Sequence, residues 1–325
     1  MRDFQERVPI KEFIVDIVEE DELDEPLENA TIVFHMAART MDLGMYTKPK
    51  RYMEDNFQGT KQLVFSMIDK RVKWMVNTSD AFSTLTCSDS RGASENTAKT
   101  VTNENFTLGP YAKSKFYAER WLSCSSARTF SRGKEVKVVT VRPTILYGEG
   151  DNWLVPYYLQ FCTQHGTLSA INKANGPMSI TYAGNCAYMH LLAAEHLMQK
   201  PDVLDGEVFN CTDETVAVNF YSYIEPFARN AGCKLRNLDL PYSAVFVLYA
   251  VVEWFFLFLF YAFGVRYDHL MMNSHAFGMV NYSTLTATSS KARLVLDYKP
   301  VYEPQEAMER TIKWWKDKRN AIGPD

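Results

Sequence analysis

The sequence predicts an α/β protein built on a doubly wound parallel sheet, and three observations predict it. Short apolar runs alternate with segments of helical period along the first two thirds of the chain, the pattern of a parallel sheet with crossover helices. The clearest run, Thr31-Ile-Val-Phe-His35, is almost continuously apolar, as in strands buried on both faces. Small or polar residues then follow the runs at Ala37-Ala38, Ser79-Asp80 and Pro143-Thr144. Such sheets bind ligands beyond the carboxyl ends of their strands.

Taken in order, Phe13–Val18 reads as a strand, Glu19–Glu22 as an acidic turn and Leu23–Asn29 as a short helix. Thr31–His35 is the next strand. Arg51–Lys70 has helical period through Tyr52, Phe57, Leu63, Val64 and Met67. Lys73–Thr78 is a strand, Thr84–Thr107 a polar loop, and Pro110 opens a helix reaching about Ala127. Val136–Leu146 is another strand, closed by Pro143. Cys186–Met198 is a helix, Glu207–Cys211 the last strand, and Pro304 opens a final helix through Lys318. The expected division is a partial nucleotide-binding domain over residues 1–150 and a smaller substrate-binding region over 151–325. Residues 186–211 of the second part weave back into the sheet.

Composition narrows the function. The chain has 325 residues, 46% hydrophobic and 23% charged, which marks a globular protein with a sizeable core. A net charge of -4 gives no electrostatic case for nucleic acid. The six cysteines form no Cys-x-x-Cys pair and the six histidines no helical zinc pair, so reduced thiols and no metal are expected. The start, Met1–Arg7, lacks the apolar run of a secretory signal.

The stretch that carries chemistry is Gly109-Pro-Tyr-Ala-Lys-Ser-Lys115. Proline suits a first helical position, and a helix from there puts Tyr111 and Lys115 on one face. A free phenol ionises near pH ~10, and a neighbouring cation favours the phenolate. Such a pair can move the proton of an alcohol or carbonyl. The spacing alone is weak, because Tyr46 and Lys50 share it with Pro49 between them.

Ala244–Val265 stands apart as an apolar run with one charge, Glu253, near its middle. Its length suits the roughly 20 residues of a membrane span. It reads equally as a helix in or on a membrane and as a buried core helix or apolar substrate wall. Both readings suit a lipid-like substrate.

Ordered motifs then connect these features. Val33-Phe-His-Met-Ala-Ala38, Asn56-Phe-Gln-Gly-Thr60, Tyr111-Ala-Lys-Ser-Lys115, Arg142-Pro-Thr-Ile-Leu-Tyr-Gly-Glu-Gly150, Tyr182-Ala-Gly-Asn185 and Tyr298-Lys-Pro300 succeed one another. In these the chain resembles the extended short-chain dehydrogenase/reductases, most closely the 3β-hydroxysteroid dehydrogenase/isomerase branch. The resemblance implies a Rossmann-like fold, NAD or NADP as cofactor, and oxidation of a 3β-hydroxyl on a sterol or steroid, with a Δ5 to Δ4 isomerisation in that branch. It implies Tyr111 as the proton acceptor, and Lys115 as the group that holds the ribose and lowers the tyrosine pKa. Asp21, Ala37, Ala38, Asn56, Pro143 and Thr144 fall at cofactor-side positions. It further implies a homodimer and a cytosol-facing place on the endoplasmic reticulum or another intracellular membrane, the alternative being cytoplasmic.

Two departures qualify it. The pattern's catalytic Ser or Thr falls on Asp80 in Asn77-Thr-Ser-Asp80. An ionised carboxylate accepts hydrogen bonds and cannot donate one. Either Ser79 substitutes after a one-residue shift, or Asp80 is held protonated, or the chemistry is altered. The family's opening Gly-x-x-Gly-x-x-Gly turn, which cradles the pyrophosphate, does not precede Phe13, so the first βαβ piece is expected to be missing. That leaves Thr31–His35 as a sheet edge unless Phe13–Val18 relocates beside it, and puts tight NAD binding in question. Three readings follow: a 3β-hydroxysteroid dehydrogenase, a relative such as a sterol-4-carboxylate 3-dehydrogenase, or a pseudoenzyme that binds without turnover.

Overall fold

The computed structural model describes residues 8–42, 44–85, 89–96, 106, 108–124, 128–130, 134–151, 155, 159, 162, 166–171, 176–267 and 273–322. Its centre is a four-stranded parallel sheet in the order β1 (Ile32–His35), β2 (Trp74–Thr78), β3 (Lys137–Pro143), β4 (Val208–Cys211). Register pairs Phe34 with Val76, Val76 with Val139, and Phe209 with Val141. Val76, Val139, Val141 and Phe209 are buried and Phe34 is partly buried, each fully buried side chain contributing on the order of 1.5–3 kcal/mol over an exposed position.

Helices flank the sheet. A short turn over Pro49–Tyr52 and a π-helical turn over Met53–Gln58 lead into α1 (Gly59–Lys70), which ends at Arg71 in the left-handed region. Then come α2 (Gly109–Leu122), α3 (Ala183–Gln199), α4 (Phe220–Asn230), α5 (Tyr242–Phe263), α6 (Ser274–Tyr282) and α7 (Pro304–Ile322). Gly109 sits at φ +60 with open space around it, which lets the chain turn sharply into Pro110 and start α2. That start matches the sequence expectation. The end comes earlier, at Leu122, and Ala127 lies outside the described residues.

Phe13–Val18 is not a strand. Lys11–Asp16 has no regular structure, and Ile17-Val18 forms a turn. Two of its apolar side chains pack elsewhere: Val15 and Ile17 lie against the cluster of Leu23, Leu63, Val64 and Met67, while Phe13 and Ile14 stay exposed. Ile17 fills the space a side chain on Gly59 would need, since a Cβ there would meet Ile17 at 2.8 Å. Burial against α1 therefore replaces sheet pairing, and β1 pairs with β2 alone among the described residues.

The expected Thr84–Thr107 loop also contains a strand, Asp89–Ala93, paired in parallel with Thr284–Ala287. The cue lay far along the chain, where no local pattern could reveal it. Much of the rest of that loop lies outside the described residues.

The apolar segment is one helix, α5, and it is not a core helix. Trp254 is 74% and Tyr261 79% exposed, with Val247, Leu248, Val251, Phe255 and Phe258 also facing outward. Glu253, 7% exposed, is the buried residue of this helix. The single charge turns inward and the aromatic residues turn outward.

Candidate active site

The carboxyl end of β2 and the first turns of α2 meet around Tyr111. The Tyr111 hydroxyl donates to Asp80 Oδ2 at 3.0 Å. Asp80 is held by its loop: Oδ1 accepts the Phe82 N–H at 2.7 Å, and its carbonyl accepts the Ser83 hydroxyl at 2.7 Å. The Pro143 carbonyl accepts the Ala81 N–H at 2.9 Å and so ties this loop to β3. Lys115 is buried, and its Nζ donates to the Thr78 carbonyl at 2.6 Å. Sequence analysis joined Tyr111, Lys115 and Asp80, and the structure brings the three together.

Their electrostatics differ from expectation. The Tyr111 phenol is pushed well above its ordinary pKa, first by burial and then by the negative charge and hydrogen bond of Asp80. The anticipated lowering by Lys115 does not occur, because the ammonium is engaged by a carbonyl and the carboxylate is the phenol's neighbour. Burial raises the Asp80 carboxyl, offset by the Phe82 N–H, Tyr111 and Lys115. Burial pushes Lys115 down to about 8, against the opposing pull of Asp80 and Glu119. Near Lys115, burial and that ammonium hold His35 down to about 3, and its Nε2 lies 2.8 Å from Thr60 Oγ1. It is a neutral structural imidazole at physiological pH.

The other expected residues divide. Asn56 is a buried clamp: its Nδ2 donates to Ser114 Oγ at 2.9 Å and to the Arg39 carbonyl at 3.1 Å, while its Oδ1 accepts the Arg39 N–H at 2.7 Å. It binds the loop after β1 to α2. Ala37 and Ala38 line a cleft of about 1340 Å³ beyond β1, with Asp16, Arg39, Lys48 and Arg51.

Ser79 makes no side-chain contact with Tyr111 among the described residues. It is buried with its N–H on the Val141 carbonyl, and its Oγ has no partner among the described residues. Pro143 and Thr144 serve the scaffold, Thr144 Oγ1 lying 2.7 Å from Thr181 Oγ1. Asp21 does not reach the cleft. Its turn, Glu20–Leu23, puts Leu23 into the core and leaves the acidic residues in solvent, and Asp16 lines the cleft instead.

A second cavity, about 310 Å³, opens on Tyr111 itself. Met41, Met45, Phe106, Leu108 and Met279 give it apolar walls, and Tyr52, Glu253 and Asn273 add polar groups. Its size sits at the small end of the roughly 300–1,000 Å³ of ligand sites. The sequence reading missed Tyr52, taken as a core residue of its helix. Its ring meets Tyr111 edge-on at 6.2 Å, and its oxygen accepts the Asp42 N–H at 2.8 Å. Glu253 stood out in the sequence only as the one charge of an apolar run.

Comparison with known proteins agrees with the motif order. Residues 1–242 match the family described as the 3-beta hydroxysteroid dehydrogenase/isomerase family. The chain is 26% identical over 312 residues to a 3 beta-hydroxysteroid dehydrogenase/Delta 5-->4-isomerase of vaccinia virus (strain Ankara), covering 93% of this chain and 84% of that one. It is 27% identical over 309 residues to human 3 beta-hydroxysteroid dehydrogenase type 7, covering 92% and 80%. Among solved structures, its fold is similar to dTDP-glucose 4,6-dehydratase of Streptomyces venezuelae with NAD and TYD bound, at a TM-score of 0.65 and 17% identity, covering 94% and 80%. It is likewise similar to UDP-glucuronic acid 4-epimerase of Bacillus cereus in complex with NAD, at 0.66 and 16%, covering 98% and 85%. With the ordered motifs, the parallel sheet and the Tyr111–Lys115 helix in place, this chain belongs to the 3-beta hydroxysteroid dehydrogenase/isomerase family of extended short-chain dehydrogenase/reductases.

Proposed function

We propose that the protein oxidises a 3β-hydroxyl of a sterol or steroid, with Tyr111 and Asp80 acting as a proton relay. The observation that carries this reading is the 3.0 Å hydrogen bond from Tyr111 to Asp80 at the wall of the apolar cavity. A carbinol there gives its proton to the phenol oxygen as the phenol passes its own to Asp80. The carboxylate thus does what a phenolate does elsewhere, and the raised Tyr111 pKa is no obstacle, since the phenol stays neutral throughout. Lys115 keeps α2 seated on the end of β2.

The residues present suit a dinucleotide in size and charge. The cleft beyond β1 is large, Ala37 and Ala38 keep its floor low, and Lys48 and Arg51 line it beside Asp16. Of the expected cofactor-side residues, Ala37 and Ala38 line the cleft and would hold NAD or NADP together with Lys48 and Arg51, whereas Asn56 and Lys115 are buried outside its lining and would support it from behind. The cofactor supplies the hydride acceptor, and the chain handles the proton.

A second reading, a binding protein without turnover, is favoured by the same carboxylate, which occupies the phenol. The experiment that separates them follows NADH absorbance with 3β-hydroxysteroids. Under the relay, Asp80→Asn lowers kcat roughly 10²-fold, and Asp80→Ser does not rescue it. Steroid binding without turnover, with turnover gained in Asp80→Ser, establishes the binding protein instead.

The outward face of α5 suits the surface or interior of an intracellular membrane, with the catalytic region facing the cytosol. Exposed aromatic and aliphatic groups on one helix favour that partner, and the free thiols of Cys162, Cys186, Cys211 and Cys233 suit a reducing side. Changing Trp254, Phe255 and Phe258 together to serine is expected to weaken vesicle flotation at least about tenfold, since each aromatic buries much apolar area. Unchanged flotation assigns the attachment to another part of the chain.

A further inference from the structure

Glu253 has a place that the membrane face of α5 does not explain. A carboxylate among apolar walls is costly unless it is satisfied. Here Oε2 accepts the Ser274 N–H at 2.8 Å, at the first turn of α6, where the helix dipole favours a negative charge. Asn273 caps the same turn through the Ala276 N–H at 2.7 Å and donates to the Gly44 carbonyl at 3.0 Å. These contacts hold the start of α6 against α5. The other oxygen, Oε1, has no protein partner among the described residues, and Glu253 lines the 310 Å³ cavity with Tyr111.

We infer that Glu253 is a specificity residue that recognises a second hydroxyl at the end of the substrate away from Tyr111. This rests on the steroid-oxidising reading of the cavity. A carboxylate oxygen only accepts hydrogen bonds. It therefore favours a donor at that end of a rigid, lipid-like molecule and disfavours a ketone or an acid. The flexible Met41, Met45 and Met279 of the same cavity suit an apolar body without dictating its outline.

The test is calorimetric titration of the full chain with two 3β-hydroxysteroids that differ only in carrying a hydroxyl or a ketone at one carbon of the far ring. The wild-type protein is expected to bind the hydroxyl compound about tenfold or more tightly, the size of a charge-assisted hydrogen bond. Glu253→Gln keeps an acceptor for Ser274 but can also donate to the ketone, and should bring the ratio to within about threefold. Glu253→Asp, charged but one methylene shorter, is expected to fall between them, and a thermal melt checks that each variant is folded. Equal binding of both compounds by the wild type overturns the assignment and leaves the steroid reading standing. A ratio that Glu253→Gln does not change does the same. Binding of neither compound overturns both.

Discussion

Tyr111→Phe is expected to lower kcat by about 10²–10⁴-fold while leaving steroid affinity nearly unchanged, because general acid–base transfer is worth that much and the ring stays in place. The hydroxyl is the link between carbinol and Asp80, and its removal leaves the carboxylate 3.0 Å from a group that no longer exists. The pH profile distinguishes this relay from the phenolate mechanism that the Tyr-x-x-x-Lys spacing suggests. The Tyr111 pKa is raised, so no ionisation of the phenol enters the profile near neutrality. The alkaline limb belongs to Lys115, held down to about 8 by burial. Its charge is present below that pH and is lost as pH rises through it, so kcat/KM falls above about 8. Initial rates from pH 6 to 10, a range chosen to bracket that value, provide the measurement. A profile set by a phenol that must ionise, rising through this window, would contradict the relay.

The second large effect is on stability. Glu119 and Arg142 form a buried ion pair at 4% and 2% side-chain exposure, with Arg142 Nε donating to Glu119 Oε2 at 2.7 Å and Nη2 to Oε1. Removing one partner of such a pair strands the other charge, at a cost of about 3–5 kcal/mol. Glu119→Ala is therefore expected to lose that much in chemical denaturation and to lower Tm by several degrees. Glu119→Gln, which still accepts one hydrogen bond, should lose less. Glu119 lies one helical turn beyond Lys115 on α2, so the pair fastens the catalytic helix to β3. A cost below about 1 kcal/mol would mean that water reaches the pair.

Much of this was legible in the sequence where the signal is local. Ile32–His35, Trp74–Thr78 and Val208–Cys211 fall within the expected strands, because their apolar runs require burial on both faces. The turn into α2 was legible from Gly109-Pro110, and the Tyr111–Lys115 pair from helical spacing. What stayed hidden depends on distant partners. Phe13–Val18 has strand composition, yet Gly59 offered Ile17 a socket on α1. Asp89–Ala93 is polar and becomes a strand only beside Thr284–Ala287. Asp80 was legible as a departure from the family pattern, while its effect on the phenol needed the loop that aims its oxygen. Glu253 read only as a lone charge in an apolar run, because sequence does not say which way a helix is turned.

In the proposed relay, the carboxylate of Asp80 sorts the protein into two populations by a single proton. With Asp80 ionised, the relay has an empty seat for a proton and the enzyme runs from alcohol to ketone. With Asp80 protonated, the same hydrogen bond is loaded in reverse and the competent direction is from ketone to alcohol. Neither population alters the chemical equilibrium, but their ratio sets how fast it is approached from each side. Burial raises the Asp80 pKa, which on this relay enlarges the share of protein ready to run from ketone to alcohol.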